Sequence, residues 1–333
     1  MFHIGLFGVG RIGVHHAGNI ASHQNCKLVA IADPHQEVAR TQAAIYGAEV
    51  RTADAIFGDD QIDAVLIASS TDTHASLIED AARSGKHIFC EKPVDLSVAR
   101  VKDCLAAVDA AGVRMMVGFN RRFDPDFATL RKRIAAGEIG ELELLTIVSK
   151  DQAPPTLEYI KVSGGLFRDM TIHDFDMVRF LLGEEPIAVS ATASCQVDPG
   201  IGKLGDVDTA VVSLRTAEGK LAVIINSRRA TYGYDQRVEV HGSLGMLSVQ
   251  NQFESNLVRA DADGFTGSKI EHFFLERYAN AYRAEWDCFL EVLEGKPTQG
   301  PGGADGLAAL LLAEAAVESL ATGREIELGS SPN

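Results

Sequence analysis

The stretch FHIGLFGVGRIGVHHAGNIAS, Phe2 to Ser22, decides the fold. Its first third is a short apolar run of strand length, its second half has helical spacing, and GVGRIG stands where the two meet. At such a junction Gly8 permits the tight turn, Gly10 lets backbone approach a pyrophosphate, and Gly13 lets the helix pack closely on the sheet. The unpaired N–H groups and the dipole at the helix start attract the anion. A lone G-x-G-x-x-G is weak, and the strand-to-helix context is what makes a dinucleotide the expected ligand. Arg11 and Ile12 lie inside the turn; Arg11 either reaches a phosphate or faces water.

Outward from this junction, short apolar runs alternate with helix-length segments up to about Gly118. HIGLFG, KLVAIAD, DAVLIAS, KHIFCEK and VRMMVGF are the expected strands, and 11–22, 34–46, 73–84 and 97–111 the expected helices. Gly85 and Gly112 stand where helix C-caps belong. Asp33 ends the second strand, where a carboxylate accepts from an adenosine ribose and repels a 2′-phosphate, which favours NAD over NADP. The alternative is that Asp33 only caps the helix after it. SSTDTHASL, with Ser69, Thr71 and His74, and CEKPVDLS, with Glu91 and Lys92, follow the next two strands. Open α/β sheets place their ligands at such C-terminal strand ends. A Lys-Pro step there can hold a cis bond that aims Lys92; otherwise Lys92 is a surface residue before a helix.

Composition excludes other classes. At 333 residues and 46% hydrophobic the chain suits two globular domains, and a net charge of −15 argues against nucleic acid or an anionic membrane as partner. No run reaches the roughly 18 apolar residues of a membrane helix. The five scattered cysteines form no C-x-x-C pair, so free thiols in a reducing cytoplasm are expected, and no metal.

After Gly118 the pattern changes to a helix near 124–136, the strand ELELLTIVSK, a proline-containing loop and a helix over RDMTIHDFDMVRFLLG, 168–183. Five strand candidates then follow without intervening helices, PIAVSATASCQV, DTAVVSLRT, KLAVIINSRR, DQRVEVHGS and GMLSVQ, and helices near 273–293 and 303–321 close the chain. The expected architecture is an α/β Rossmann dinucleotide-binding domain, residues 1–118, and an α+β domain with a large, mainly antiparallel open sheet, residues 119–333. On a wheel of about 100° per residue, Asp169, His173 and Asp176 share one arc at i, i+4 and i+7. That arc is either a solvated face or a row of groups facing a cleft; it has no basic residue to offset its acids.

EKP at 91–93, GFNRRFDP at 118–125 and SGGLFRDMTIHDFDMVRFLLG at 163–183, with the Gly-rich start, resemble the Gfo/Idh/MocA oxidoreductases over nearly the whole chain. RRFDP and GGLFRDMTIHDFDM look most like the inositol 2-dehydrogenase branch. The resemblance implies NAD-dependent oxidation of myo-inositol or a close isomer to the 2-keto product. A pyranose dehydrogenase or an NAD-dependent glycosidase is the alternative. It implies that His173 takes the hydroxyl proton, Asp169 orients it, and Lys92 steadies the reacting oxygen. Asn120, Arg122, Asp176, Tyr234 and Tyr282 are the implied substrate contacts, Tyr234 and Tyr282 being alternatively aromatic anchors. It also implies a homotetramer.

Overall fold

The architecture is that of a computed structural model in which residues 1–329 are described. The chain forms two compact units: Met1–Asn120 with Tyr282–Leu310, and Arg121–Ala281 with the segment from Leu311 onward. The first break lies two residues from the expected boundary, but the expected continuous second domain is corrected, because 282–310 belong with the first unit.

In the first unit the order is β1 (Phe2–Phe7), α1 (Arg11–Ser22), β2 (Cys26–Ala32), α2 (Gln36–Tyr46), β3 (Glu49–Val50), α3 (Ala53–Phe57), β4 (Ala64–Ile67), α4 (Thr71–Arg83), β5 (His87–Glu91), α5 (Val98–Ala111) and β6 (Met115–Gly118). Six parallel strands run β3-β2-β1-β4-β5-β6, so the strand order reverses beside β1, where such sheets bind ligands. β4 is buried at every residue, as expected of a parallel strand covered on both faces. Gly112 caps α5 in the left-handed region as expected, whereas α4 ends at Ser84, one residue before Gly85. The late return of the chain has an aromatic cause. Trp286 and Phe289 pack on Phe89 of β5, with ring centroids 6.0 and 5.5 Å apart, and the Trp286 indole N–H donates to Cys26 Sγ at 3.3 Å.

The second unit begins with a 3₁₀ turn (Asn120–Phe123 spans the boundary), then α6 (Pro125–Ala135), β7 (Leu142–Lys150), α7 (Leu157–Ser163), α8 (Leu166–Asp169) and α9 (Thr171–Leu182). There follow β8 (Pro186–Ser194), α10 (Pro199–Lys203), β9 (Thr209–Thr216), β10 (Leu221–Ser227), β11 (Asp235–Gly242), β12 (Gly245–Val249), β13 (Val258–Asp261), β14 (Gly264–Gly267) and α11 (Phe274–Arg277). α12 (Ala279–Leu293) and α13 (Gly303–Thr322) each run from one unit into the other, and β15 (Ile326–Glu327) ends the second. The sheet order is β12-β11-β7-β10-β9-β8-β15, antiparallel except for the parallel pair β7–β10. Alternation sorts its faces: Ala222, Ile224 and Asn226 of β10 point inward, while Leu221 is 47% exposed.

Two expected helices are interrupted. The one over 168–183 breaks at Met170 into α8 and α9, and the one over 273–293 breaks at Tyr278. Helix α7 occupies what reads as a loop, its first turn capped by Thr156 Oγ1 accepting from Tyr159 N. Among the described residues no helix is long and apolar enough to cross a membrane.

Candidate active site

Four loops meet at the C-terminal edge of the parallel sheet, and the glycines explain how. Gly8 has φ +90°, and a Cβ there would sit 2.6 Å from the Ala68 carbonyl and the Ser69 backbone, so the turn after β1 lies directly on the turn after β4. A Cβ at Gly13 would stand 2.0 Å from the Gly8 carbonyl, whereas one at Gly10 would meet nothing within 4 Å. The cradle is thus closed behind and open in front, as a pyrophosphate requires. Gly10 is the N-cap of α1, with no side-chain cap bond and no acid in the first turn, so its N–H groups face outward. Arg11 is exposed there and Ile12 is half-buried.

Asp33 fixes this turn. Its Oδ2 accepts from Val9 N at 2.8 Å and its Oδ1 from His35 N at 2.7 Å, so it braces the Gly-rich loop as well as the loop after β2. Both its expected roles, beside the ribose and before the helix, are compatible with that position. On the other side, Ser69 Oγ shares a hydrogen bond with Thr73 Oγ1 at 2.6 Å, and Thr71 opens α4.

His74, expected to line the cleft, is 2% exposed and acts as a strut instead. Its Nδ1 lies 2.8 Å from the Pro93 carbonyl and its Nε2 3.1 Å from the Ser69 carbonyl. Burial lowers its pKa although both carbonyls pull it upward. This strut holds the Lys92–Pro93 step, whose peptide bond is cis. His16, also buried, reaches Glu91 Oε1 with its Nε2 at 2.6 Å, and the Glu91 carboxylate lies against Gly118, where a Cβ would come within 2.9 Å. Lys92 is therefore carried on a segment braced on both sides, and it is half-buried itself. Tyr282 belongs to this unit: it packs edge-on to His15 and His16, at 4.8 and 5.7 Å.

In the second unit the two narrow motifs bind one another. Arg122 grips Asp176 with two hydrogen bonds, Nε to Oδ2 at 2.8 Å and NH2 to Oδ1 at 2.5 Å, and its guanidinium lies 5.3 Å from the Phe180 ring centroid. Arg121 pairs with Asp174, whose second oxygen accepts from Asn226 Nδ2 at 2.8 Å. Burial raises the Asp174 pKa against the pull of Arg121 and Asn226. Asp124 caps α6 and pairs with Arg277. RRFDP is thus a set of plugs for buried charges, a role invisible in sequence because the partners lie more than 50 residues away.

The solvated-face reading of α9 fails, since Asp174 is 0% and Asp176 1% exposed. Asp176 and Arg122, expected to meet substrate separately, are spent largely on each other. Tyr234 is also corrected. It is 5% exposed, its hydroxyl takes a 3.4 Å bond from Arg121, and its ring stands edge-on to Tyr278 at 6.0 Å, which makes it part of the interior. Asn120, expected in the cleft, is drawn inside by the tight 3₁₀ turn and is 2% exposed.

Asp169 and His173 are only half-buried, unlike Met170, Thr171, Ile172 and Asp174. Asp169 Oδ1 accepts from Tyr159 Oη at 2.8 Å and Oδ2 from two Arg228 nitrogens, each at 3.2 Å. Tyr159, Arg228 and the nearby Asp151 carry no motif and escape a reading of the sequence. Asp169 is the last residue of its own short helix, directly before the break at Met170. A carboxylate held on both oxygens, with a histidine four positions further along the chain, supplies the residue types that proton transfer uses.

Comparison with known proteins agrees with both units. Residues 2–119 match the oxidoreductase family with an NAD-binding Rossmann fold, and 127–248 match the GFO/IDH/MocA C-terminal domain. The chain is 53% identical to inositol 2-dehydrogenase of Rhizobium meliloti, over 97% of this chain and 98% of that one. It is 46% identical to myo-inositol 2-dehydrogenase of Thermotoga maritima, over 98% of each. The solved structure of a myo-inositol dehydrogenase from Corynebacterium glutamicum superposes with a TM-score of 0.95 at 43% identity, covering 99% of this chain and 100% of that one. With the glycine cradle of the first unit, the mixed sheet of the second and matches across nearly its whole length, the chain belongs to the GFO/IDH/MocA family of NAD-binding oxidoreductases.

Proposed function

We propose that this oxidoreductase removes hydride from one ring carbon of myo-inositol, or of a close isomer, to give the 2-keto-inositol. The observation that carries the reading is the contrast along one helical segment: Asp174 and Asp176 are fully buried with their arginines, whereas Asp169, though paired with Arg228, and His173 are only half-buried. The high identity to enzymes named for inositol supports the substrate class.

In this reading Gly8, Gly10, Gly13 and the start of α1 hold the pyrophosphate of NAD, and Asp33 receives a ribose hydroxyl. Arg11, Ile12, Ser69, Thr71 and Glu91 border the same cradle. Bound NAD supplies the hydride acceptor. His173 accepts the proton of the reacting hydroxyl, Asp169 keeps its imidazole oriented and stabilises the resulting cation, and Lys92 donates to the oxygen as it becomes carbonyl. Arg122, held in place by the buried Asp176, offers donors to ring hydroxyls, each of which would cost about 1–3 kcal/mol if buried unpaired.

We further propose a homotetramer serving polyol breakdown in the cytoplasm. Leu144 and Leu221, 39% and 47% exposed and paired across β7 and β10, lie on the outer sheet face, with Val211 four residues further along it opposite Ile225, a surface suited to a second copy. All five cysteines are free thiols, as a reducing compartment favours.

A panel of inositol isomers and aldoses, each with NAD and with NADP, tests the activity through the ultraviolet absorbance of the reduced cofactor. The expected result is NADH formation with myo-inositol or a close isomer, and a poor reaction with NADP. Folded enzyme that reduces NAD only with aldoses, or with none of the panel, overturns the proposal.

A further inference from the structure

Asp169 is held on both oxygens by groups that no motif contains. The parallel pairing of β7 and β10 explains how they meet: Lys150 is opposite Ser227 and Asp151 N donates to Ser227 O at 2.9 Å, so Asp151 and Arg228 emerge side by side at the same sheet end. Arg228 is 1% exposed, its guanidinium 3.2 Å from Asp169 and 3.8 Å from Asp151. One desolvated cation therefore serves two carboxylates. Tyr159 reaches the remaining Asp169 oxygen from α7.

We infer that Tyr159, Arg228 and Asp151 are positioning residues for the dehydrogenase reaction, holding the Asp169 carboxylate and setting how strongly it draws a proton onto His173. The inference rests on the roles given to His173 and Asp169 above. Facing Asp151 are Arg228 after β10, Asp169 at the end of α8, Arg121 of the 3₁₀ turn, Asp174 of α9, Tyr159 of α7 and Tyr234 before β11. Facing Asp169 are Tyr159, Arg228 and Asp151. Burial pushes the Asp151 carboxyl up to about 6, Arg228 opposing and Asp169 adding to the rise. When ionised, Asp151 shares Arg228 with Asp169; when protonated, it leaves Arg228 to Asp169. Burial of the Tyr159 hydroxyl and the adjacent Asp169 charge raise its pKa, so it stays a donor.

The two ends of this arrangement have opposite signs. Tyr159→Phe removes a donor from Asp169, leaves its charge less neutralised and raises the proton affinity of His173. Asp151→Asn removes a negative charge, gives Arg228 wholly to Asp169 and lowers it. The test is the pH profile of kcat/KM for myo-inositol with NAD, alongside NAD binding by fluorescence and a His173→Gln control. The acidic limb is expected to move up by about 0.5–1 pH unit in Tyr159→Phe and down by about the same in Asp151→Asn, with kcat changed more than KM and NAD affinity unchanged. Limbs that stay in place, or that move the same way in both variants, overturn the inference while an inactive His173→Gln leaves the functional reading standing. An active His173→Gln overturns that reading itself. Tyr159 lies on the exposed side of a short helix, so its phenylalanine variant tests the idea in a folded protein.

Discussion

The turn around Gly8 and the cluster around Asp169 both manage charge, by opposite means. In the first, backbone does the work: glycines permit the close approach, and the amides of α1 supply the positive field. In the second, side chains do it, through arginines drawn from distant segments and set against buried or half-buried aspartates. A backbone device is local and leaves a local signature. A side-chain device is assembled only when the sheet and helices have packed, and it is correspondingly vulnerable to single substitutions.

Three substitutions press on this difference. His173→Gln should have the largest effect, a fall in kcat of roughly 10²- to 10⁴-fold, with NAD binding within twofold of the parent. A parallel loss of NAD affinity in a fluorescence titration would show that the two charge-handling devices are not separable. Next, Arg122→Met removes both short hydrogen bonds from the buried Asp176, leaving Arg179 3.8 Å away, and should cost up to roughly 3–5 kcal/mol in urea unfolding. Stability within about 1 kcal/mol of the parent would mean that the pair is not what holds the polar side of α9. The smallest effect belongs to Gly10→Ala. Because a methyl there meets nothing within 4 Å, thermal stability should stay the same while NAD affinity drops about tenfold. Unaltered affinity would remove the pyrophosphate from this turn.

Legibility in the sequence follows the same division. The Rossmann order, the role of Gly8 and Gly13, and the cis-capable Lys92–Pro93 step were readable because each depends on neighbours within a few residues. The polar arc of α9 was readable as a pattern but not as chemistry. Periodicity placed Asp169 and Asp176 together, whereas the break at Met170 and the Arg122 pair separate them into different environments. Arg121, Asp151, Tyr159 and Arg228 were not readable at all. Their relevance arises from the β7–β10 register and from contacts spanning 10 to 77 positions. Tyr234 misled for a related reason: an aromatic with a polar tip looks alike at a binding surface and in a core where an arginine is waiting for its oxygen.

The late return of the chain to the first unit bears on how this fold can be cut and recombined. A fragment ending at 118 would carry every glycine of the cofactor cradle yet lack Trp286 and Phe289, leaving Phe89 without its aromatic cover. The cofactor half is therefore not a portable module in the linear sense. Exchange of cofactor preference between relatives has to proceed by transplanting loops, or by moving residues 1–120 together with 282–310, and a simple front-half chimera would inherit the motif without the support that shapes it.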